Sequence, residues 1–228
     1  TVDIDRAIGT NAAFRLNALW QDSDVPGRDH VNNKRIGLAP SIGVGLDTPT
    51  RAWLNLLYVK QDNIPDGGVP IYGMPGWTPI GTSAPFASLV GNPLPSTNFY
   101  GTHADHDNDE AYMATARIEH DFSDSVKLSN IARWGRTTQD YVLTSFTQAA
   151  TNGSTDPADW TIARSPTNHV DKKNDILTDQ LNLRADFNTG AIAHSLSAGV
   201  EILRERQVDY RDDADRLSQL TLGGSFRE

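Results

Sequence analysis

The amino-acid sequence predicts an all-β chain, an antiparallel transmembrane β-barrel sector of about eight consecutive strands. Three observations carry this expectation. Apolar and polar residues alternate with period two through runs of ten or more residues, as in strands with two unlike faces. These runs are about twice the ~5–6 residues of an ordinary globular strand and suit the ~9–11 that cross a bilayer. The connections also alternate, tight near positions 10, 48, 124 and 189 and long over 22–33, 63–108 and 144–174. Short periplasmic turns and long extracellular loops give a barrel that rhythm, whereas such long structureless segments count against a compact soluble domain.

The strands follow in order. Residues 1–8 read as the end of a strand, turned at Gly9-Thr10-Asn11. Ala12–Asp22 places Phe14, Leu16, Ala18 and Trp20 on one face, with Arg15, Asn17 and Gln21 opposite. Lys34–Leu46 and Arg51–Lys60 flank Asp47-Thr48-Pro49-Thr50 and form a hairpin. Ile36, Leu38, Pro40, Ile42, Val44 and Leu46 share the apolar face of the first run, and Ala52, Leu54, Leu56 and Tyr58 that of the second. Ala111–Phe122 and Val126–Leu143 make the next pair around Ser123-Asp124-Ser125, and Ile176–Phe187 and Ile192 to about Tyr210 the last around Asn188-Thr189-Gly190. Residues from Arg211 onward are polar and predict no defined element.

The two faces differ as a membrane requires. Arg15, Arg35, Arg117, Arg133 and Arg184 fall on the Asn- and Gln-bearing side, as expected of a wet lumen. Each would cost about 2–4 kcal/mol facing lipid at the midplane. Trp20, Tyr58, Tyr112, Phe122 and Trp134 lie near strand ends on the apolar face, where an aromatic girdle belongs. His194 and Asn130 break the apolar face, and Leu57 and Ile131 the polar one.

Bulk properties narrow the function. The chain has 228 residues, a net charge of −9 and no cysteine, so a nucleic-acid partner, a disulfide framework and a Cys-ligated metal are not expected. The mean hydropathy of −0.46 is compatible with a barrel, whose alternating strands average low. Thr1 opens inside an alternating pattern with no initiator Met, and Gly223–Glu228 supplies no closing strand. The expectation is therefore a partial β-barrel domain over residues 1–228, a piece of something longer.

Several stretches resemble one family. Arg15-Leu16-Asn17-Ala18-Leu19-Trp20-Gln21-Asp22-Ser23-Asp24 resembles a strand of TonB-dependent siderophore receptors. So do Asn33-Lys34-Arg35 with Ala39-Pro40-Ser41, and Lys60-Gln61-Asp62-Asn63-Ile64-Pro65-Asp66-Gly67-Gly68. Glu119-His120-Asp121-Phe122, Asn188-Thr189-Gly190 and Gly199-Val200-Glu201 resemble later landmarks, and the nearest branch is the ferric-catecholate receptors of Gram-negative outer membranes. The resemblance implies a 22-stranded barrel with a plug, located in the cell outer membrane, that imports ferric siderophores driven by the TonB complex. The plug domain, the TonB-contacting box and the remaining strands would lie outside this chain. The implied partners are a ferric catecholate siderophore, the TonB complex, the protein's own plug and outer-membrane lipid, with no cofactor. The alternative is a soluble β-sandwich that binds carbohydrate, with its apolar faces buried against a second sheet.

Candidate ligand-binding residues follow from the cargo. Tyr72 and Trp77 lie in the long 63–108 segment, where aromatic rings can stack on catechols. A ferric tris-catecholate is strongly anionic, and Lys60 and Arg136 at outer strand ends would attract it. Asp105, Asp107 and Asp109 form D-x-D-x-D, but a calcium loop needs Gly sixth and Glu twelfth, where Glu110 and Ala116 stand. They read as a solvated acid cluster, and His103 with His106 as a loose loop pair, so no metal site is expected. Glu201 with Arg204 and Glu119 with Arg117 read as ion networks on the lumen wall. No G-x-S-x-G frames any serine, and no enzymatic activity is expected.

Overall fold

In the computed structural model, residues 1–79, 84–165, 168–210 and 223–225 are described. The strands are β1 (Val2–Ile8), β2 (Ala12–Asp24), β3 (Asn32–Val44), β4 (Thr50–Asn63), β5 (His106–Ser123), β6 (Val126–Leu143), β7 (Phe146–Ala150), β8 (Thr161–Arg164), β9 (Asn168–Thr189), β10 (Ile192–Asp209) and β11 (Gly223–Ser225). A four-residue helix, α1 (Ala84–Ala87), and a 3-10 turn, Pro157–Asp159, lie in the loops.

Eight strands form one sheet in the order β1-β2-β3-β4-β5-β6-β9-β10, every neighbour antiparallel. The eight expected strands are therefore present in sequence order, and the tight connections fall where the sequence places them. In the β3–β4 turn Gly45 has a φ of +69°, and a Cβ there would lie 2.1 Å from the Thr50 carbonyl oxygen. Only glycine fits that approach.

Register keeps each face continuous. Ala18 pairs with Leu38, Leu38 with Tyr58, Tyr58 with Tyr112 and Tyr112 with Arg136. Trp134 pairs with Leu177, and Leu181 with Val200. The apolar residues thus make one sheet-wide surface, left open: Trp20 is 71% exposed and Ile202 67%. A sandwich would have buried that face against a second sheet. The second sheet here is three short strands, β11-β8-β7, in the loops, so the sandwich expectation is not met. Such a face suits hydrocarbon, which demands paired backbone and apolar side chains. The irregular positions are accommodated. Asn130 donates to Asp179 at 2.6 Å on the outward face, and His194 stacks on Phe187 at 5.0 Å.

Two segments are more ordered than the alternation implies. β5 starts at His106 rather than Ala111, and β9 at Asn168 rather than Ile176. Asn168–Asp175 carries polar residues on both faces. Both faces meet water above the bilayer, so no apolar rhythm marks the strand. Pairing with the upper half of β6, from Leu143↔Asn168 to Arg136↔Asp175, extends it. Polar 144–174 also contains β7, β8 and the 3-10 turn, which Asp156 caps by accepting from Ala158 N–H at 2.9 Å. Gly223–Ser225 pairs with β8 where the sequence implied no strand. Residues 211–222, read as undefined, lie outside the described ones.

The buried core sits in the loops. Leu89, Leu94, Tyr100, Trp160 and Ile162 cluster there, with Val69, Tyr72, Trp77, Phe86, Phe146 and Ala149 packed around them. The described parts of 63–108 and 144–165 therefore fold together at the long-loop end of the strands, rather than projecting as separate loops.

Candidate functional site

The polar wall of the sheet and the folded loops above it form the candidate site. Along the wall, side chains pair both across strands and along them. Arg15 clasps Asp3 through hydrogen bonds of 3.0 and 2.6 Å. Arg51 donates to Asp121 at 2.9 and 3.0 Å and to Glu119 at 3.3 Å. Arg117 reaches Glu119 and lies 5.3 Å from the Trp53 ring centroid. Arg133 bonds Thr115 Oγ1 at 3.2 Å, and Arg184 meets Asp186 at 3.5 Å. Near the outer end Gln61 donates to Asp109 and Asn63 to Asp107, each at 3.1 Å. Such a wall presents fixed hydrogen-bonding groups to water and costs nothing in desolvation while the lumen is wet. Arg117 and Glu119 thus join an ion network as expected. Glu201 and Arg204 do not, because their register places them on opposite faces of β10.

Three connections interlock above the wall. Arg28, between β2 and β3, forks onto Asp66 at 2.7 and 2.8 Å and also reaches the Ser96 carbonyl. Burial pushes the Asp66 carboxyl up, but Arg28 and the Gly68 N–H outweigh it and hold it below its ordinary value. Asp105 is buried and accepts from the Thr144 N–H at 3.0 Å, Thr144 Oγ1 at 2.7 Å and Thr102 Oγ1 at 2.8 Å. It is therefore no solvated loop acid, because it bolts the end of β6 to the start of β5. A Cβ on Gly67 would lie 2.5 Å from the Thr144 carbonyl oxygen, so the 63–108 segment crosses this junction closely. A groove of about 450 Å³ opens between Ser88–Asn98 and Thr155–Ala158.

The four residues expected to touch ligand do not converge. Tyr72 and Trp77 are half-buried in the loop core, with ring centroids 5.5 Å apart, and Tyr72 also packs on Phe86 and Phe146. Lys60 lies on the outward face beside Tyr58, 3.5 Å from Asp62 and 3.7 Å from Glu110. Arg136 lies outward too, 2.5 Å from Asp175 and 5.8 Å from the Trp134 ring centroid. His103 and His106 are not a pair: His103 rests on His30 at 5.9 Å, and His106 Nε2 lies 3.0 Å from Asp140. Among the described residues no group of three His, Asp or Glu is placed to hold a metal. The sequence reading missed the Asp105–Thr144 bolt and the Arg28 fork. Their signal was present, an alternating D-x-D-x-D pattern at a strand start and an arginine in a polar connection, but it names no partner.

His106 also carries a pH-dependent contact. Burial opposes its charged form, but Asp140 and the Ala104 carbonyl, 2.7 Å from Nδ1, outweigh burial and raise its pKa above the ordinary histidine value. Asp105 and His169 face the same corner, with His169 Nε2 3.7 Å from Asp140. A raised folded-state pKa adds stability that is complete below the unfolded value of about 6.5 and is lost as pH rises through the folded value. Hydrogen exchange at the start of β5, corrected for intrinsic rates, should accelerate severalfold as pH rises across that window. His106→Gln should flatten the dependence, and an unchanged profile would assign it elsewhere.

No family model matches the chain. The chain is 42% identical over 217 residues to the catecholate siderophore receptor Fiu of Escherichia coli K12, covering 92% of this chain and 28% of that protein. It is 32% identical over 209 residues to the probable TonB-dependent receptor BfrD of Bordetella pertussis, covering 91% and 26%. The crystal structure of the ferric-catecholate import receptor Fiu in its closed form superposes with a TM-score of 0.79 at 41% identity, over 92% of this chain and 30% of that one. The siderophore receptor PiuA from Acinetobacter baumannii gives 0.65 at 28% identity, over 90% and 28%. The chain spans about 28% of the length of the curated relatives it matches.

Proposed function

We propose that this chain, a stretch of outer-membrane β-barrel of the TonB-dependent siderophore receptors, serves the uptake of ferric catecholate siderophores. The observation that carries the reading is the agreement of two independent orders. Eight strands follow one another with a single continuous apolar face, and the same stretch aligns over 92% of its length with a catecholate siderophore receptor. The polar wall would border the passage, and the folded loops would shape its outer mouth. The TonB complex and a plug would act through other parts of the protein.

Within that reading Tyr72 and Trp77 support the ligand indirectly, by holding the mouth in shape, because their rings engage each other, Tyr72 packs on Phe86 and Phe146, and Trp77 packs against the loop core. Lys60 and Arg136 would act on the cargo only at long range, since both side chains stand on the outward face. The test is uptake of radiolabelled ferric tris-catecholate by cells that lack other catecholate receptors and express the full-length protein. Accumulation that depends on the inner-membrane proton gradient is expected. Surface-exposed, folded protein that neither binds nor accumulates the complex would overturn the proposal.

A further inference from the structure

The connection between β2 and β3 is short beside the two folded loops, and none of its residues belongs to the loop core. It nevertheless grips the 63–108 segment on both limbs. On the outgoing limb the Ile64 N–H donates to the Asn32 carbonyl at 2.9 Å, and the Arg28 fork closes on Asp66. On the returning limb Arg28 reaches the Ser96 carbonyl, and the Asp29 N–H donates to the Thr97 carbonyl at 2.7 Å. The His30 ring lies 6.0 Å from Phe99, held there by a φ of +62° that is uncommon for a residue with a side chain. One guanidinium thus joins Asp66 to Ser96 as well as both to the β2–β3 connection. Its side chain is 12% exposed, and its Nε and both Nη atoms already donate. A planar guanidinium can make two parallel bonds to a carboxylate and a third to a carbonyl beside it, which an ammonium cannot.

We propose that Arg28 is a positioning residue for uptake: its clasp fixes where the loop core stands over the passage, without the arginine touching cargo. The returning limb carries the clasp into that core. Tyr100, a core member, donates its hydroxyl to the Pro95 carbonyl at 2.9 Å, one residue from the Ser96 carbonyl that Arg28 holds. Released from the clasp, the two limbs would move apart more freely and the mouth would spend less time in the arrangement that accepts cargo. Apparent affinity falls with the fraction of competent molecules, whereas a later energised step is left alone. The proposal rests on the ferric-catecholate uptake reading.

The test compares full-length wild type with Arg28→Gln, Arg28→Lys, Asp66→Asn and the Arg28→Gln/Asp66→Asn double variant. In cells, half-maximal uptake of radiolabelled ferric tris-catecholate should need about tenfold more complex in Arg28→Gln, an effect between those of a surface and a buried ion pair. The maximal rate should stay at the wild-type value. Asp66→Asn should act in the same direction, Arg28→Lys less strongly, and the double variant should be no worse than Arg28→Gln, because one contact is lost once. Hydrogen exchange in outer-membrane vesicles should accelerate in 64–68 and 94–99 together, while the strand segments facing lipid keep their protection. If Arg28→Gln does not assemble, Asp66→Asn, which keeps the guanidinium, carries both readouts. Wild-type half-saturation in an assembled variant, a fall in maximal rate alone, additive effects of the two substitutions, or faster exchange confined to 25–31 would overturn the proposal. Wild type that takes up no ferric catecholate would instead remove the uptake reading, and the exchange comparison would still decide whether the clasp holds both limbs.

Discussion

Asp105→Ala is expected to open the extracellular loops while leaving the membrane-spanning strands intact. The carboxylate accepts three hydrogen bonds, two from Thr144 and one from the Thr102 hydroxyl. Asp105 and Thr144 are 4% and 1% exposed, so water cannot replace the lost acceptor without the loops moving. Hydrogen bonds to a charged group contribute about 1.5–3 kcal/mol each, and a stranded buried donor costs about 1–3 kcal/mol. Because the three bonds share one anchor their effects overlap, and we expect a net loss of about 3 kcal/mol in local opening. That corresponds to roughly hundredfold faster amide exchange in Leu143–Ser145 and 99–105 of the full-length protein. The strand segments facing lipid should keep their protection. Asp105→Asn preserves an acceptor oxygen and should lose less. Exchange at wild-type rates in the Ala variant would mean that Thr144 is held by something other than this carboxylate.

How far the sequence could be read follows from what each residue faces. Leu54, Leu56 and Tyr58 lie between hydrocarbon and a wet lumen, so their alternation with Asn55 records the strand directly. Near the turns the tetrapeptide Asp47–Thr50 is equally plain, because a chain that reverses there needs the left-handed Asp47, at φ 66°, and Gly45. Asn168–Asp175 offered no such contrast. It has water on both sides, and its strand character comes from pairing with β6 and, from Lys172 onward, with β10. Lys60 and Arg136 show the complementary failure. Their residue types suit an anionic cargo, but face is set by parity along the strand, and parity with Tyr58 and Trp134 turns both outward. Tyr72 and Trp77 could be recognised as important without their role being visible. An exposed ring that stacks on a ligand and a ring that closes a small core have the same sequence signature in a Pro- and Gly-rich segment. Long-range pairing decides between them, here of Tyr72 with Phe86 and Phe146.

Trp160→Ala should unfold the loop assembly, whereas Trp20→Ala should not. Trp160 is 1% exposed, its ring lies 5.2 Å from Phe86, and its indole N–H donates to the Ser154 carbonyl at 3.0 Å. Truncation of a buried Trp removes its transfer energy, leaves a cavity and strands the Ser154 acceptor, for a loss of about 3–5 kcal/mol. The loop core is small, so that loss exceeds what Leu89, Leu94 and Ile162 can compensate by closing in. Limited proteolysis of intact cells should then cut within 63–108 and 144–168, while the turns near 48 and 124 stay protected on the periplasmic side. Trp20, 71% exposed on the apolar face, anchors at an interface and holds no core. Its loss should leave the cleavage pattern unchanged. If cells carrying the Trp160 variant also lose ferric-catecholate uptake while the barrel stays assembled, the loop core is what gives the mouth its shape. Normal uptake with the loops cut would place cargo selection in the wall below.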